Sequence, residues 1–246
     1  MDNQQLLRYS KHLMLPQLDY DGQLAITQSH ALIIGAGGLG SPIALYLASS
    51  GVGKLTIVDF DHVELSNLQR QIAHYTKDIG RFKVDSAKDK LLALNPEIEV
   101  LTIPKALDAD ELREQVSQCD VVIEASDNFE SRFLTNRICL ETKTPLISGS
   151  AIRFEGQLTT FTFDQPDTPC YHCLFSDIEE DTETCTQSGV FSPAVGVIGS
   201  LQACEALKVL AKSGEILSGR LLLFNALNSS WRELKYRKDP ECSVCS

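Results

Sequence analysis

The sequence predicts an α/β fold: a doubly wound, mainly parallel sheet with helices on both faces and an antiparallel extension in the C-terminal region. Three observations support this prediction. Short apolar runs alternate with helical patterns from residue 30 to residue 149, as in strands joined by crossover helices. A glycine-rich turn follows the first apolar run. Two further strand-like runs, R-L-L-L-F-N and W-R-E-L-K-Y, come late in the chain.

Each element of the parallel region has its own pattern. The first helix follows the glycine turn, and Gly51 is placed just past its end, where glycine commonly terminates helices. Segment 81–95 repeats apolar residues on one helical face and stops before Pro96, because a proline disfavours helix at the preceding residue. The predicted strands are 31–35, 54–59, 98–103, 120–125 and 145–149, and the predicted helices are 39–50, 81–95, 108–118 and 128–142.

The pattern changes beyond residue 150. G-Q-L-T-T-F-T-F alternates like a strand, whereas 164–190 is polar and acidic and is predicted to be a long crossover loop. Segment 192–210 predicts a helix with Ser192 as its cap and Pro193 in the first position. We expect a single domain over residues 1–246, with a helical arm at 1–28, a core at 30–149 and the crossover, helix and terminal strands at 150–246.

Composition and charge exclude some classes of partner. The formal net charge is -11, which argues against nucleic acid or an anionic membrane as the main partner, because phosphates attract Lys and Arg. The first residues lack a basic start followed by an apolar core, so we expect a cytoplasmic protein. Residues 31–53 carry no charge, but glycines and Pro42 divide them into a strand, a turn and a helix.

The glycine-rich turn, G-A-G-G-L-G at residues 35–40, follows a strand and opens a helix. Such glycines let the backbone approach a phosphate at the helix N-terminus. Asp59 ends the next strand, at the ribose-binding position of a Rossmann unit. The turn could serve helix packing alone, but turn, flanking elements and acid together favour a Rossmann-like nucleotide site, without distinguishing NAD from ATP. Its glycines are Gly35, Gly37, Gly38 and Gly40.

Three charged residues bear on the choice of nucleotide. A triphosphate attacked at its α-phosphorus needs cations beside the phosphoryl oxygens as charge develops, and Arg70 and Lys83 are such cations. Asp127 follows the fourth strand, at the carboxyl edge where open sheets bind ligands, and a carboxylate there could hold Mg²⁺. Taken singly, each would more often be a surface charge. Their shared edge favours a site.

Four of the eight cysteines form two C-x-x-C pairs, at 170–173 and 242–245. Two such pairs from distant segments supply four thiolates suited to tetrahedral zinc. Disulfides and a redox pair are the alternatives, and a cytosolic chain disfavours disulfides. We therefore expect a structural zinc that pins the C-terminal strands to the crossover. Its ligands would be Cys170, Cys173, Cys242 and Cys245.

The remaining cysteines carry weaker signals. Cys185 lies in an acidic loop, where neighbouring acids would raise the pKa of the thiol. A nucleophile and a loop cysteine without chemistry both remain open there. Cys119, Cys139 and Cys204 are predicted to be buried packing residues.

Six motifs follow one another along the chain: I-I-G-A-G-G-L-G-S, a strand ending in D-F-D, S-N-L-Q-R-Q, K-V-D-S-A, S-D-N, and the two C-x-x-C pairs. With this set the chain resembles the MoeB/ThiF family, bacterial relatives of ubiquitin-activating enzymes, over essentially its whole length. The resemblance implies one ubiquitin-activating-like adenylation domain. It also implies ATP-dependent adenylation of the C-terminal glycine of a small ubiquitin-like sulfur carrier ending in Gly-Gly.

The resemblance also implies roles for individual residues. Asp127 would hold Mg²⁺, with Asn128 beside it, and Cys185 matches a loop cysteine that becomes attached to the carrier in some branches. The residues implied to contact ATP are Gly35, Gly37, Gly38, Gly40, Asp59, Asp61, Ser66, Asn67, Leu68, Gln69, Arg70, Lys83, Asp127 and Asn128.

Partners follow from the same resemblance. Family members form homodimers in which a basic residue of one arm reaches the partner's phosphates. That residue is Lys11 here in place of the usual arginine, which keeps the charge and loses the planar fork. A sulfur donor such as a cysteine desulfurase or a rhodanese-like protein is a further implied partner.

Several alternatives remain open from sequence. A-I-R-F-E-G-Q-L, at 151–158, slightly favours the branch serving molybdopterin synthase over the thiamine branch. The glycine turn and Asp59 alone would also fit a nicotinamide-dependent oxidoreductase, although the five histidines fall in no evident catalytic arrangement. A non-catalytic nucleotide-binding module is the third alternative.

Overall fold

The computed structural model describes residues 1–175 and 188–246, so Cys185 lies outside the described residues. Within these ranges eight strands form one sheet. The strands are β1 His30–Ile34, β2 Lys54–Val58, β3 Glu99–Ile103, β4 Val121–Glu124, β5 Leu146–Ile152, β6 Glu155–Phe161, β7 Arg220–Asn225 and β8 Ser230–Lys235.

The strand order is β3-β2-β1-β4-β5-β6-β7-β8. Strands β1 to β5 are mutually parallel, and β6, β7 and β8 are added antiparallel. The chain builds outward from β1 through β2 to β3, then returns to the other side of β1 with β4. The carboxyl ends of β1 and β4 therefore flank the point where the strand order reverses, which is where open α/β sheets form ligand crevices. The predicted doubly wound sheet with its antiparallel extension is confirmed.

Nine α-helices lie in the described part of the chain. Asp108 caps one of them by accepting hydrogen bonds from the Asp110 and Glu111 N–H groups, as a helix N-terminus requires. The helices are α1 Asn3–Arg8, α2 Ser10–Leu13, α3 Asp19–Gln28, α4 Gly40–Ser49, α5 Lys83–Leu94, α6 Ala109–Val116, α7 Phe129–Thr142, α8 Tyr171–Leu174 and α9 Ser192–Ala211.

Two hydrophobic cores cover the two faces of the sheet. Ala31 and Ile33 of β1 contribute to the core beneath α4, α5 and α9. Leu32 and Ile34 contribute to the core beneath α6 and α7. Because both faces are covered, all five residues of β1 are buried, and the four residues after His30 are apolar without alternation.

Helix α9 differs from its prediction in two details. It begins at Ser192 with Phe191 in the cap position, and no side chain caps it, so the predicted Ser192 cap is wrong. Pro193 occupies the first turn, where its missing N–H is tolerated. Cys204 is exposed rather than buried, because it faces outward from a helix whose inner side is filled by residues such as Ala203 and Ala206.

The length and apolarity of α9 would suffice to cross a membrane, but half of its most apolar window is buried inside the molecule. It packs against α4 and against β5 and β6. These contacts are those of a core helix, and they position α9 beside the start of α4.

The N-terminal arm packs at the opposite edge of the sheet from the crevice. Tyr9 is buried beside Gly51, and its hydroxyl accepts a hydrogen bond of 3.0 Å from Asn95 Nδ2. Gly51 and Asn95 precede β2 and β3, so the arm covers the amino ends of these strands.

Candidate functional site

The glycine loop connects the end of β1 to α4 and touches the end of β4. Gly35 has φ +97°, and a Cβ at this position would lie 2.7 Å from the Ala125 carbonyl oxygen. A Cβ on Gly40 would lie 1.9 Å from the Gly35 carbonyl oxygen. Only glycine fits at these two places, and the loop is thereby held against both strands of the crevice.

The loop presents backbone donors at the start of α4. The Ser41 N–H donates to the Gly37 carbonyl at 2.9 Å, which begins the helix. Among the described residues the Gly37 and Gly38 N–H groups have no acceptor. Free N–H groups at a helix N-terminus, together with the helix dipole, attract phosphate.

Asp59, at the end of β2, is fixed by the loop. Its Oδ2 accepts from the Ala36 N–H at 2.7 Å, and its Oδ1 accepts from the Asp61 N–H at 2.8 Å. Burial raises the pKa of Asp59, while the charge of Lys83 and the two N–H groups oppose that shift. The carboxylate is therefore oriented before any ligand arrives.

Lys83 is the first residue of α5, and its side chain is buried. Its Nζ lies 2.6 Å from Asp61 Oδ2, and the Asp61 side chain is about half exposed. The Asp61 carbonyl also accepts from the Lys83 N–H at 2.9 Å. The ammonium is thus paired with Asp61, and its charge also acts on Asp59.

Arg70 lies against the glycine loop. A Cβ on Gly38 would be 3.4 Å from Arg70 Cγ, and Arg70 Nη1 donates to the Ser66 carbonyl at 3.2 Å. Ser66 and Asn67 belong to a short 3₁₀ helix, Leu65–Asn67, that precedes Leu68 and the exposed Gln69. The predicted 66–70 segment thus borders the loop through Arg70.

Asp127 lies on the loop after β4 and is exposed, with its carboxylate outside the core. Asn128 caps α7, because its Oδ1 accepts from the Ser131 N–H at 2.8 Å. A cap of this kind sets where the helix begins and hence the position of Asp127 beside it.

Three buried residues around the crevice were missed by sequence reasoning: Gln71, His74 and Arg132. Arg132 Nη2 donates to the Ser126 carbonyl at 2.5 Å and to the Gly149 carbonyl at 3.0 Å. Its Nε lies 3.4 Å from the buried Glu124. His74 and Arg132 bond to backbone carbonyls distant in sequence, and Gln71 lies close to Gly37, which no local pattern reveals.

The four cysteines of the two C-x-x-C pairs converge. Their sulfur atoms lie within 4.8 Å of one another. The Cys170–Cys173, Cys170–Cys242 and Cys173–Cys245 sulfur distances are 3.9, 3.8 and 3.4 Å. Tetrahedral Zn–S bonds of about 2.3 Å would set neighbouring sulfurs about 3.8 Å apart, whereas a disulfide requires about 2.05 Å. The donor set fits a structural zinc ion with all four positions filled by protein.

One predicted residue, Lys11, does not join the crevice in a single chain. Lys11 is exposed on α2, in the arm at the amino edge of the sheet. Cys185 lies outside the described residues. The glycine loop, residues 35–40, contacts Asp59 and Arg70. Lys83 pairs with Asp61 and acts on Asp59, and Asp127 follows the strand that the loop touches.

The chain is similar to known proteins in sequence and in structure. The ThiF family model matches residues 9–244. A molybdopterin-synthase adenylyltransferase of Escherichia coli K12 is 45% identical over 245 residues, covering 100% of this chain and 98% of the relative. The sulfur carrier protein ThiS adenylyltransferase of the same strain is 42% identical over 247 residues, covering 100% and 97%.

A solved structure of E. coli MccB with succinimide superposes with a TM-score of 0.85. It is 24% identical and covers 97% of this chain and 73% of that chain. This likeness concerns the fold alone.

Proposed function

We propose that this chain, which belongs to the ThiF family and is an adenylyltransferase, activates the C-terminal glycine of a small ubiquitin-like sulfur-carrier protein. The proposed carrier is the small subunit of molybdopterin synthase, and its adenylate would go on to a thiocarboxylate. Membership in a family whose relatives are named adenylyltransferases sets aside the oxidoreductase and the non-catalytic module.

One structural observation supports the proposal independently of the relatives' names. In the described structure, unpaired N–H groups of the glycine loop and the Arg70 side chain lie at the switch point of the sheet. The buried Lys83 ammonium acts on Asp59, which accepts a hydrogen bond from the same loop. Such an assembly of donors suits a polyphosphate, because several charges must be neutralised at once.

The proposed reaction is a displacement at the α-phosphorus of ATP. A carboxylate oxygen of the carrier's terminal glycine forms a bond to this phosphorus, and the bond to the bridging oxygen of the β-phosphate breaks. The electron pair leaves with pyrophosphate, so the products are the acyl adenylate and pyrophosphate. Arg70 and Lys83 would neutralise charge on the phosphoryl oxygens, and the loop would align the chain of phosphates.

Asp127 is the proposed carboxylate for Mg²⁺. Its exposure on the loop after β4 fits this ion, which usually takes one or two carboxylates and completes its shell with phosphates and water. When bound, Mg²⁺ would supply charge neutralisation on the leaving pyrophosphate.

The remaining proposed partners rest on family membership. Lys11 would reach the phosphates from the arm of the partner subunit in a homodimer, since its own arm lies at the far edge of the sheet. A cysteine desulfurase or rhodanese-like protein would supply the sulfur. Zinc at the cysteine cluster would be structural.

Asp127→Ala tests the mechanism. We expect carrier-dependent ATP–pyrophosphate exchange to fall by a factor of about 10²–10³, the usual scale for losing one group that stabilises transition-state charge. The unfolding free energy should be unchanged, because the side chain is exposed. Glu130→Ala removes a neighbouring exposed carboxylate and is the matched control. Equal exchange rates in the two variants would remove Asp127 from the mechanism.

Carrier identity is tested by intact-mass detection of the acyl adenylate. The protein is mixed with ATP, Mg²⁺ and either the small subunit of molybdopterin synthase or the thiamine-pathway carrier. We expect the adenylate on the former, and none when its terminal glycine is deleted. An adenylate on the thiamine carrier alone would support the second candidate, which the 42% identical relative favours. No adenylate on either would contradict the proposal.

A further inference from the structure

Side chains clamp both backbone polar groups of Ala36. The Ala36 N–H donates to Asp59 at 2.7 Å, and the Ala36 carbonyl lies 2.9 Å from His74 Nε2. His74 is 4% exposed. Ala36, between the first two glycines of the loop, is therefore held by the partly buried Asp59 on one side and the buried His74 on the other.

The hydrogen-bond partners fix the tautomer of His74. A carbonyl only accepts, so Nε2 must carry the proton. Nδ1 lies 3.0 Å from Ser86 Oγ, and this hydroxyl oxygen already accepts from Lys90 Nζ at 2.9 Å. In a neutral ring that carries its proton on Nε2, Nδ1 is an acceptor, so the Ser86 hydroxyl can donate to it. Burial lowers the pKa of His74, with the charges of Lys90 and Lys83 acting in the same direction, which agrees with a neutral ring.

Peptide geometry links this clamp to the crevice. The peptide bond between Ala36 and Gly37 is trans, so its carbonyl and its N–H point in opposite directions. The carbonyl is drawn inward to His74. The Gly37 N–H must then point outward, away from the interior, and it has no acceptor among the described residues.

Gln71 adds a second buried group beneath the same glycine. It is 3% exposed, and its Nε2 would lie 3.5 Å from a Cβ placed on Gly37. Its Oε1 is buried without a hydrogen-bond partner in the described structure. The floor of the loop is thus built from the segment that follows Arg70.

We propose that His74 is a positioning residue for the nucleotide: by holding the Ala36 carbonyl, it aims the Gly37 N–H at the phosphates. This inference rests on the proposed use of ATP. His74 touches neither nucleotide nor carrier, and it acts only through the orientation of one peptide group.

A matched pair of variants tests the proposal. The amide nitrogen of His74→Gln can take the place of Nε2 and still donate to Ala36, whereas the amide of His74→Asn reaches only to the place of Nδ1. We expect His74→Asn to bind an α,β-methylene ATP analogue about tenfold more weakly, the scale of one hydrogen bond to a charged group. His74→Gln should stay within about twofold of the wild type. Calorimetry gives the affinities, and urea unfolding gives the stability of each variant.

Two further measurements separate positioning from general destabilisation. In ¹H–¹⁵N spectra the Gly37 amide should shift on adding the analogue in the wild type and in His74→Gln, and little in His74→Asn. Ser86→Ala removes the oxygen that holds Nδ1 and lets the ring rotate away from the Ala36 carbonyl, so affinity should fall several-fold even if His74→Asn does not fold.

The outcomes are distinct. Equal weakening by Gln and Asn, or unchanged affinity in Ser86→Ala, would overturn the role of His74 while leaving ATP use intact. A wild-type protein that binds no ATP analogue would overturn the proposed function as well.

Discussion

His74 and His30 are both buried with both ring nitrogens in hydrogen-bonding contact. His30 Nδ1 lies 2.7 Å from the Gln118 carbonyl, and its Nε2 lies 2.8 Å from Thr56 Oγ1. Burial lowers the pKa of each ring below 6.5. The Gln118 carbonyl, Asp120 and Glu99 oppose this shift at His30, and Lys54 adds to it. At neutral pH both rings are therefore uncharged in the folded protein.

Because both rings are neutral in the folded protein, we expect stability to fall as the pH is lowered. The unfolded chain binds protons at each histidine near pH 6.5, whereas the folded chain binds them only at lower pH. The contribution of the two neutral histidines to the free energy of unfolding should therefore be fully present above pH 6.5. Below pH 6.5 it should decrease, by about 1.4 kcal/mol for each unit by which folding lowers the pKa. Urea unfolding at pH 7.5 and 5.5 measures the difference, and His30→Gln should reduce it. Equal or greater stability at pH 5.5 would contradict the assignment.

At the residue scale, sequence reasoning could propose only groups that directly follow a strand or belong to a motif. Asp59 and Arg70 are of this kind. It missed His74 and Arg132, because their roles depend on carbonyls at Ala36 and Gly149 that approach only in the folded chain. Cys204 was placed on the correct helix but on the wrong side of it.

At the element scale, α9 packs against the helix that begins at the glycine loop. A Cβ on Gly199 would lie 2.6 Å from the Leu39 carbonyl oxygen and 2.5 Å from Pro42 Cγ. The two helices are therefore in close contact where α4 begins. Gly196, one turn earlier on α9, has open space around it in the described structure.

Gly199→Ala should destabilise the protein by about 1–3 kcal/mol, because the added methyl must push α9 away from α4. Gly196→Ala on the same helix is the matched control. It should be neutral or stabilising by up to about 1 kcal/mol, since alanine is the better helix former. Urea midpoints and slopes measure both changes. Similar effects at the two glycines would show that the close contact with Leu39 is unimportant.

Most element positions were predictable from periodicity. Strand β1 and helix α5 differ from their predicted bounds by one or two residues. The start of α9 was less predictable, because Ser192 resembles a cap in sequence while the chain enters the helix through Phe191. Pro193 lies in the first turn of α9 and has no N–H group. The helix therefore has one fewer N–H group that a capping side chain would have to satisfy.

At the scale of the whole molecule, the cysteine cluster joins two segments that are 72 residues apart in sequence. Cys170 and Cys242 are buried in the core beneath α6 and α7. Tyr171, beside Cys170, donates its N–H to Asn136 Oδ1 of α7 at 2.8 Å. The cluster therefore anchors the chain after β8 to the main body of the protein.

Cys245→Ser should remove one metal ligand and loosen residues 236–246. We expect a loss of several kcal/mol in unfolding free energy, because metal binding energy is folding energy at structural zinc sites. Hydrogen exchange should rise in this segment first, and metal analysis should show reduced zinc. Cys204→Ser, at an exposed cysteine, should change stability by less than about 0.5 kcal/mol. Wild-type protein without bound metal and with unchanged stability after chelation would contradict a structural zinc.

The sheet and the convergence of the two cysteine pairs were both predictable, the first from alternating elements and the second from ligand spacing. The packing of the arm at the amino edge was not, since residues 1–28 give only helical patterns. Its position follows from Tyr9 filling the space beside Gly51, a contact across the fold.

The central pairing of β1 with β4 has a kinetic consequence. The Asp120 carboxylate and the His30 N–H meet across a separation of 90 residues, where Ala31 pairs with Val121. Closing a chain segment of that length is entropically costly and slows folding. The crevice cannot exist before this closure, so the recovery of nucleotide binding during refolding should report the last stage of assembly rather than the initial collapse.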